Sequence, residues 1–137
     1  MYMPDLTEKG AHRFVGYLSL EHDYPKGNTS DPVFDRLTEL VRAAPIAYGG
    51  YHECDLEFCG LNQAQPEIYW RGKVIPRHCS TDILVPDGAI LYWAPALVLH
   101  YIRTHQYLPP TCFIDAVSRC PDPRSPEYGH AAEELLG

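Results

Sequence analysis

The chain has 137 residues, of which 45% are hydrophobic and 21% are charged, and its formal net charge is −7. This length and composition are typical of one globular domain that buries a core of its own. The acidity argues against a nucleic-acid binder, because such a protein needs a stripe of lysine and arginine.

The first half of the chain predicts a strand, a helix and a second strand. Residues 13–20 are rich in β-forming side chains and predict the first strand. The helix begins near Pro32, has apolar residues at helical spacing and ends at Pro45. Residues 47–54 predict the second strand, with a flexible entry at two glycines.

The second half predicts two hairpins followed by two helices. The hairpins cover residues 67–75 and 82–93, and the second contains Asp87-Gly88, a strong two-residue turn signal. The helices run from residue 96 to about residue 106 and over residues 111–117.

This order of elements predicts the fold class. No helix regularly separates consecutive strands, so a parallel, doubly wound sheet is not expected. We predict an α+β fold, with a small antiparallel sheet and about three helices packed on one face of it, in a single domain over residues 1–120. Residues 121–137 are predicted to be a flexible C-terminal tail, with one weak turn of helix at residues 132–136.

The sequence also predicts where the protein is found. No apolar run approaches the roughly 18 residues that cross a membrane, and the N-terminus lacks the basic and apolar regions of a signal peptide. Five cysteines are an odd number in a chain without an export signal. We therefore expect reduced cysteines and a cytoplasmic protein.

One short segment carries three side chains that bind borderline metal ions. His52, Cys54 and Cys59 lie within eight positions. His52 and Cys54 are two apart, so they project from the same face of an extended strand. A closed zinc site needs a fourth ligand, and His100 on the second predicted helix is the expected one. The sequence thus predicts a zinc site formed by His52, Cys54, Cys59 and His100.

Other residues compete for the fourth position, namely His105, Cys79 and His78. His100 and His105 are five apart and lie about 140° apart around a helix, which predicts a poor chelating pair. His105 is instead expected to interact favourably with the helix dipole in the last turn. Two alternatives to the metal remain open, which are simple packing of the reduced cysteines in the sheet and a disulfide within the segment.

An aromatic group lies near the junction between the second hairpin and the second helix. It consists of Tyr92, Trp93, Tyr101 and Tyr107. Such a group can form a patch that binds a ligand or a partner. More often it closes the edge of a core, and both interpretations are kept.

Four segments are distinctive when read together. They are residues 1–6, the turn at residues 22–27, the His-x-Cys…Cys cluster, and a C-terminal block with the pattern Tyr-x-Ala-Pro…His-Tyr…His-x-Tyr-x-Pro-Pro. In these segments, which cover about residues 1–119, the chain resembles a family of small uncharacterised bacterial proteins, a domain of unknown function. That family spaces its two cysteines as Cys-x-x-Cys, whereas four residues separate Cys54 from Cys59. The resemblance implies no mechanism and no catalytic residue.

These observations favour a cytoplasmic protein-interaction domain with a structural zinc ion. An immunity or antitoxin-like protein, whose acidic surface covers a basic toxin, is one form of this hypothesis. The first alternative is a small zinc-dependent enzyme with an open metal position, in which Glu53 or Glu57 is the nearest candidate base. The second is a metal-free binding domain. Four protein ligands would indicate structure, and three ligands beside a cleft would indicate chemistry.

Overall fold

The computed structural model describes residues 2–44, 54, 56, 68–75 and 81–136. Over these residues it contains six strands and four α-helices. In chain order they are β1 (Thr7–Lys9), β2 (His12–Phe14), α1 (Asp31–Ala43), β3 (Tyr69–Trp70), β4 (Lys73–Val74), β5 (Asp82–Asp87), β6 (Ile90–Pro95), α2 (Val98–His105), α3 (Thr111–Arg119) and α4 (Pro126–Leu136). The predicted α+β class is confirmed.

The larger sheet has four strands in the order β1-β2-β6-β5. β1 pairs with β2 and β5 pairs with β6 in antiparallel fashion, but β2 and β6 are parallel. The prediction of a purely antiparallel sheet is therefore wrong. A parallel pair requires a long connection between its strands. Here the connection from β2 to β6 contains α1, the β3–β4 hairpin and β5.

The two predicted hairpins are confirmed. The turn between β5 and β6 consists of Gly88 and Ala89, one position later than the predicted Asp87-Gly88, and Gly88 has a φ of 62°. β3 and β4 form a separate two-stranded sheet joined by Arg71 and Gly72, both with positive φ, as a tight primed turn requires. The first predicted strand is shorter than expected and pairs with β1, which was not predicted. The second predicted strand lies outside the described residues, except for Cys54.

Helix α1 covers the core side of the sheet. Its apolar stripe, spaced as predicted, buries Phe34, Leu37, Leu40 and Val41. α1 contacts α3 and β5, and α2 contacts α1. The result is a core between the sheet and these three helices, and packing in this core fixes the position of α2.

Helix α4 covers the opposite face of β5. Ile83 and Val85 belong to the core, whereas Leu84 points the other way, as alternation along a strand requires. Leu84 meets Tyr128, whose hydroxyl donates a hydrogen bond of 2.6 Å to the Leu84 carbonyl oxygen. The helices thus lie on both faces of the sheet, so the prediction that they pack on one face is wrong. The weak turn expected at residues 132–136 is part of a helix of 11 residues.

None of the described helices is both long enough and apolar enough to cross a membrane.

Candidate metal centre

Cys54 approaches two histidines of helix α2, so that three side chains able to bind a metal lie together. One ligand atom from each of Cys54, His100 and His105 lies within 4.8 Å of the other two. The sulfur of Cys54 is 3.4 Å from Nε2 of His105. The imidazole ring centroids of His100 and His105 are 5.1 Å apart. The group therefore joins residues that are distant in sequence.

Helix α2 fixes the position of His100. The helix buries Val98, Leu99, Tyr101 and Ile102 in the core, and His100 is buried with them, with 2% of its surface exposed. Oγ1 of Thr104, one turn further along, is 3.3 Å from Nδ1 of His100. Metal-binding histidines usually have such an outer contact on one ring nitrogen, because it sets the orientation of the ring.

His105 is placed by the end of the helix. It is the last residue of α2, and Gln106 after it has the left-handed φ of 57° that ends many helices. The hydroxyl of Tyr24 donates a hydrogen bond of 3.2 Å to the His105 carbonyl oxygen. Burial lowers the pKa of His105 below its usual value, which favours the neutral imidazole that binds metals.

The prediction that His100 and His105 are a poor pair is wrong. The two rings contact each other edge to face, and both approach Cys54. The angular argument considered only the directions in which the side chains leave the helix. Helical side chains lean toward the N-terminus, so the ring of His105 extends back over the turn that carries His100.

The three ligand types and their separations suit a tetrahedral site for a borderline metal ion. In a tetrahedral site with Zn–S near 2.3 Å and Zn–N near 2.0 Å, neighbouring ligand atoms lie about 3.3 to 3.6 Å apart. The 3.4 Å between Cys54 and His105 is in this range. The upper bound of 4.8 Å on the remaining separations means that each would need to shorten by about 1.5 Å at most to complete the geometry.

The sequence prediction and the structure overlap in two ligands. Cys54 and His100 come together as expected, and His105, which the sequence named as a competitor for the fourth position, joins them. The other predicted ligands, His52 and Cys59, lie outside the described residues. So do the remaining residues that the sequence singled out as competitors or bases, namely His78, Cys79, Glu53 and Glu57.

The aromatic group is mainly part of the core. Tyr92, Tyr101 and Tyr107 are buried, and only Trp93 of the four is partly exposed. The hydroxyl of Tyr107 donates a hydrogen bond of 2.8 Å to Oδ2 of Asp5. These burials leave little aromatic surface for a partner at this junction.

A cleft of about 460 Å³ opens beside the cluster. It is lined by Leu20, His22, Asp23, Tyr24, Lys26, Leu56 and His105. Cys54 and His100 are each only 2% exposed, whereas His105 is half-buried and forms part of the cleft wall. Tyr24 lines the same cleft, and burial, followed by the charge of Cys54, raises its pKa above the usual value.

A family model described as Domain of unknown function (DUF7919) matches residues 1–118. The chain belongs to this family. No curated protein and no solved structure matches the chain. The match confirms the expected resemblance to a domain of unknown function. Cys54, His100 and His105 all lie within the matched residues. Any function must therefore be argued from the site itself.

Proposed function

We propose that this DUF7919 protein binds zinc through Cys54, His100 and His105, with a fourth coordination position reached from the cleft beside His105. The observation that carries the proposal is the convergence of three ligand atoms within 4.8 Å. Cys54 and His105 are 51 positions apart, so the fold and not the local sequence brings them together.

The chemistry of the ligands favours zinc over the hard divalent cations. A thiolate and two imidazoles suit borderline metals, whereas magnesium and calcium prefer oxygen ligands. Zinc held by three protein ligands keeps a position for water or substrate, and it lowers the pKa of that water to near 7. In this role the protein is a small zinc-dependent enzyme that activates water, and the cleft is where its substrate enters.

The test is the metal content of untagged protein, measured by native mass spectrometry without a chelator. We expect about one zinc ion per chain, and its loss in Cys54→Ser and His105→Ala variants. Cys112→Ser is the matched control, because Cys112 is an exposed thiol on α3 outside the cluster. Protein that contains no zinc, and takes up none when zinc is added, would contradict the proposal.

A structural zinc ion in a protein-interaction domain is the second candidate. Two observations favour it: Cys54 and His100 are almost fully buried, and the net charge of −7 suits a basic partner. In this role the protein is a cytoplasmic bacterial protein of the immunity or antitoxin type. Either His52 or Cys59 then completes a closed set of four ligands.

The two candidates differ in the number of protein ligands. Removal of His52 or Cys59 lowers zinc affinity if the site is closed, and leaves it unchanged if the described three ligands are the full set. A pulldown from the native host adds a separate test, because the interaction role requires a stoichiometric protein partner and the enzymatic role does not.

A further inference from the structure

The cleft beside the candidate metal centre carries two exposed charges of opposite sign. Lys26 and Asp23 both line it. Within the part of the chain that the structure describes, neither forms an ion pair. Both charges are therefore available to a ligand in the cleft.

Backbone hydrogen bonds hold Lys26 beside the end of α2. Lys26 pairs with Tyr107 in an antiparallel bridge. On one side the Gly27 N–H donates to the Gln106 carbonyl oxygen at 2.9 Å, and on the other the Leu108 N–H donates to the Pro25 carbonyl oxygen at 2.9 Å. Lys26 and the metal ligand His105 thus belong to two segments that are fastened together.

The side chain of Lys26 also has a defined neighbour. Its ammonium nitrogen is 5.4 Å from the centroid of the Tyr24 ring. Tyr24 is the residue whose hydroxyl binds the His105 carbonyl oxygen. A cation held over an aromatic ring at this distance is favourably placed, and less conformational freedom is lost when it meets a ligand.

The sum of charges changes when the metal is bound. Without metal, the opposite charges of Lys26 and Asp23 offset each other across the cleft. A zinc ion with the Cys54 thiolate adds one net positive charge next to the cleft. The loaded site therefore attracts an anion more strongly than the empty site does.

We infer that the metal-loaded cleft binds a small oxyanion, a carboxylate or a phosphate, with one oxygen on the open metal position and another at the Lys26 ammonium. The inference rests on the proposed zinc site. To that site it adds the class of ligand, the residue that attracts the ligand, which is Lys26, and the residue that repels it, which is Asp23.

The experiment uses the full chain loaded with cobalt(II), which takes the place of zinc in tetrahedral sites and is coloured. A thiolate-to-cobalt absorption band reports that the site is filled, and the ligand-field bands report its coordination. Acetate and inorganic phosphate are titrated in separately, with sodium chloride at equal ionic strength as the reference. We expect the ligand-field bands to change with at least one oxyanion, and the responding probe tells carboxylate from phosphate.

Two charge variants test whether the cleft selects the ligand. Lys26→Gln is expected to weaken oxyanion binding roughly three- to fivefold, and Asp23→Asn to strengthen it by a similar factor. Lys73→Gln, on the exposed strand β4, is the matched control and is expected to change nothing. General damage to the fold would weaken binding in both cleft variants, so the opposite signs are diagnostic.

The outcomes separate the two proposals. Cobalt bands that no oxyanion changes would overturn the inference and leave the metal site standing. A response that neither Lys26→Gln nor Asp23→Asn alters would also overturn it, because the cleft would then play no part. Absence of the thiolate band would overturn the metal site itself.

Discussion

Gly16 lies just after strand β2, where the chain passes against the first residue of α2. Its φ is 82°, and a Cβ atom there would lie 2.8 Å from Cγ2 of Val98. We expect Gly16→Ala to lower the free energy of unfolding by about 2 to 4 kcal/mol, because strain in the left-handed region adds to the clash. Urea unfolding measures this loss.

Gly10→Ala separates the two causes. Gly10 has a similar φ of 60°, but a Cβ atom there would meet nothing within 4 Å. We expect a loss of about 1 kcal/mol from the backbone alone. Equal losses in the two variants would show that contact with Val98 contributes nothing.

The site illustrates what single residues reveal. Residue type, together with the apolar stripe that packs the second helix inward, identifies Cys54 and His100. The sequence argues against His105 as a partner of His100, because a projection around the helix axis ignores the lean and length of a side chain. A signal for it was present in the sequence: a histidine in the last turn of a helix can reach back to the preceding turn as well as toward solvent.

At the scale of elements, the β3–β4 hairpin is fastened to α1 by one carboxylate. Oδ1 of Asp35 accepts a hydrogen bond of 2.6 Å from Nε1 of Trp70. Arg71 pairs with the same carboxylate, at 2.8 Å to Oδ1 and 3.1 Å to Oδ2. These hydrogen bonds hold the pKa of Asp35 below its usual value, with Arg71 the larger cause.

Asp35→Asn is expected to destabilise the protein at neutral pH, lowering the melting temperature by at most a few degrees because the pair is largely exposed. A carboxyl group whose pKa is lower in the folded state stabilises the protein at pH values above its unfolded pKa of about 3.9. This contribution disappears as the pH falls through the folded pKa. The difference between wild type and variant should therefore shrink below about pH 4. Thermal melts at neutral and acid pH measure it.

Asp115→Asn is the control for that series, because it removes the same charge from an exposed position on α3 without an ion pair in the described structure. A loss that stays constant with pH in Asp35→Asn, or that Asp115→Asn reproduces, would contradict the role given to the carboxylate.

The same hairpin shows why some elements were predictable. Arg71-Gly72 and Gly88 are local signals, since the conformation of a tight turn depends on its two central residues alone. The parallel pairing of β2 with β6 depends on residues far apart in the chain, such as Phe14 and Trp93. No local pattern encodes that pairing, so the mixed sheet emerged only from the assembled fold.

At the scale of the whole molecule, α4 covers the face of β5 that α1 and α3 leave open. Three prolines between residues 121 and 126 favour a flexible tail, but Pro126 is the first residue of α4, a position where a proline is well tolerated. Ala132 is buried on the opposite face of β5 from α1 and α3. The apolar pattern of residues 126–136 is too brief to predict packing, because only a few apolar residues of this segment face the sheet.

The proposed zinc ion links Cys54 to α2, and thereby to the core, so its binding should stabilise the whole molecule. A ligand that binds only the folded state at one hundred times its dissociation constant adds about 2.7 kcal/mol. For a domain of this size, that raises the melting temperature by roughly 5 to 15 °C. Calorimetry of metal-free protein, with and without zinc, measures the shift. Cys54→Ser should abolish it and Cys112→Ser should keep it, whereas an equal shift in both would place the stabilising zinc elsewhere.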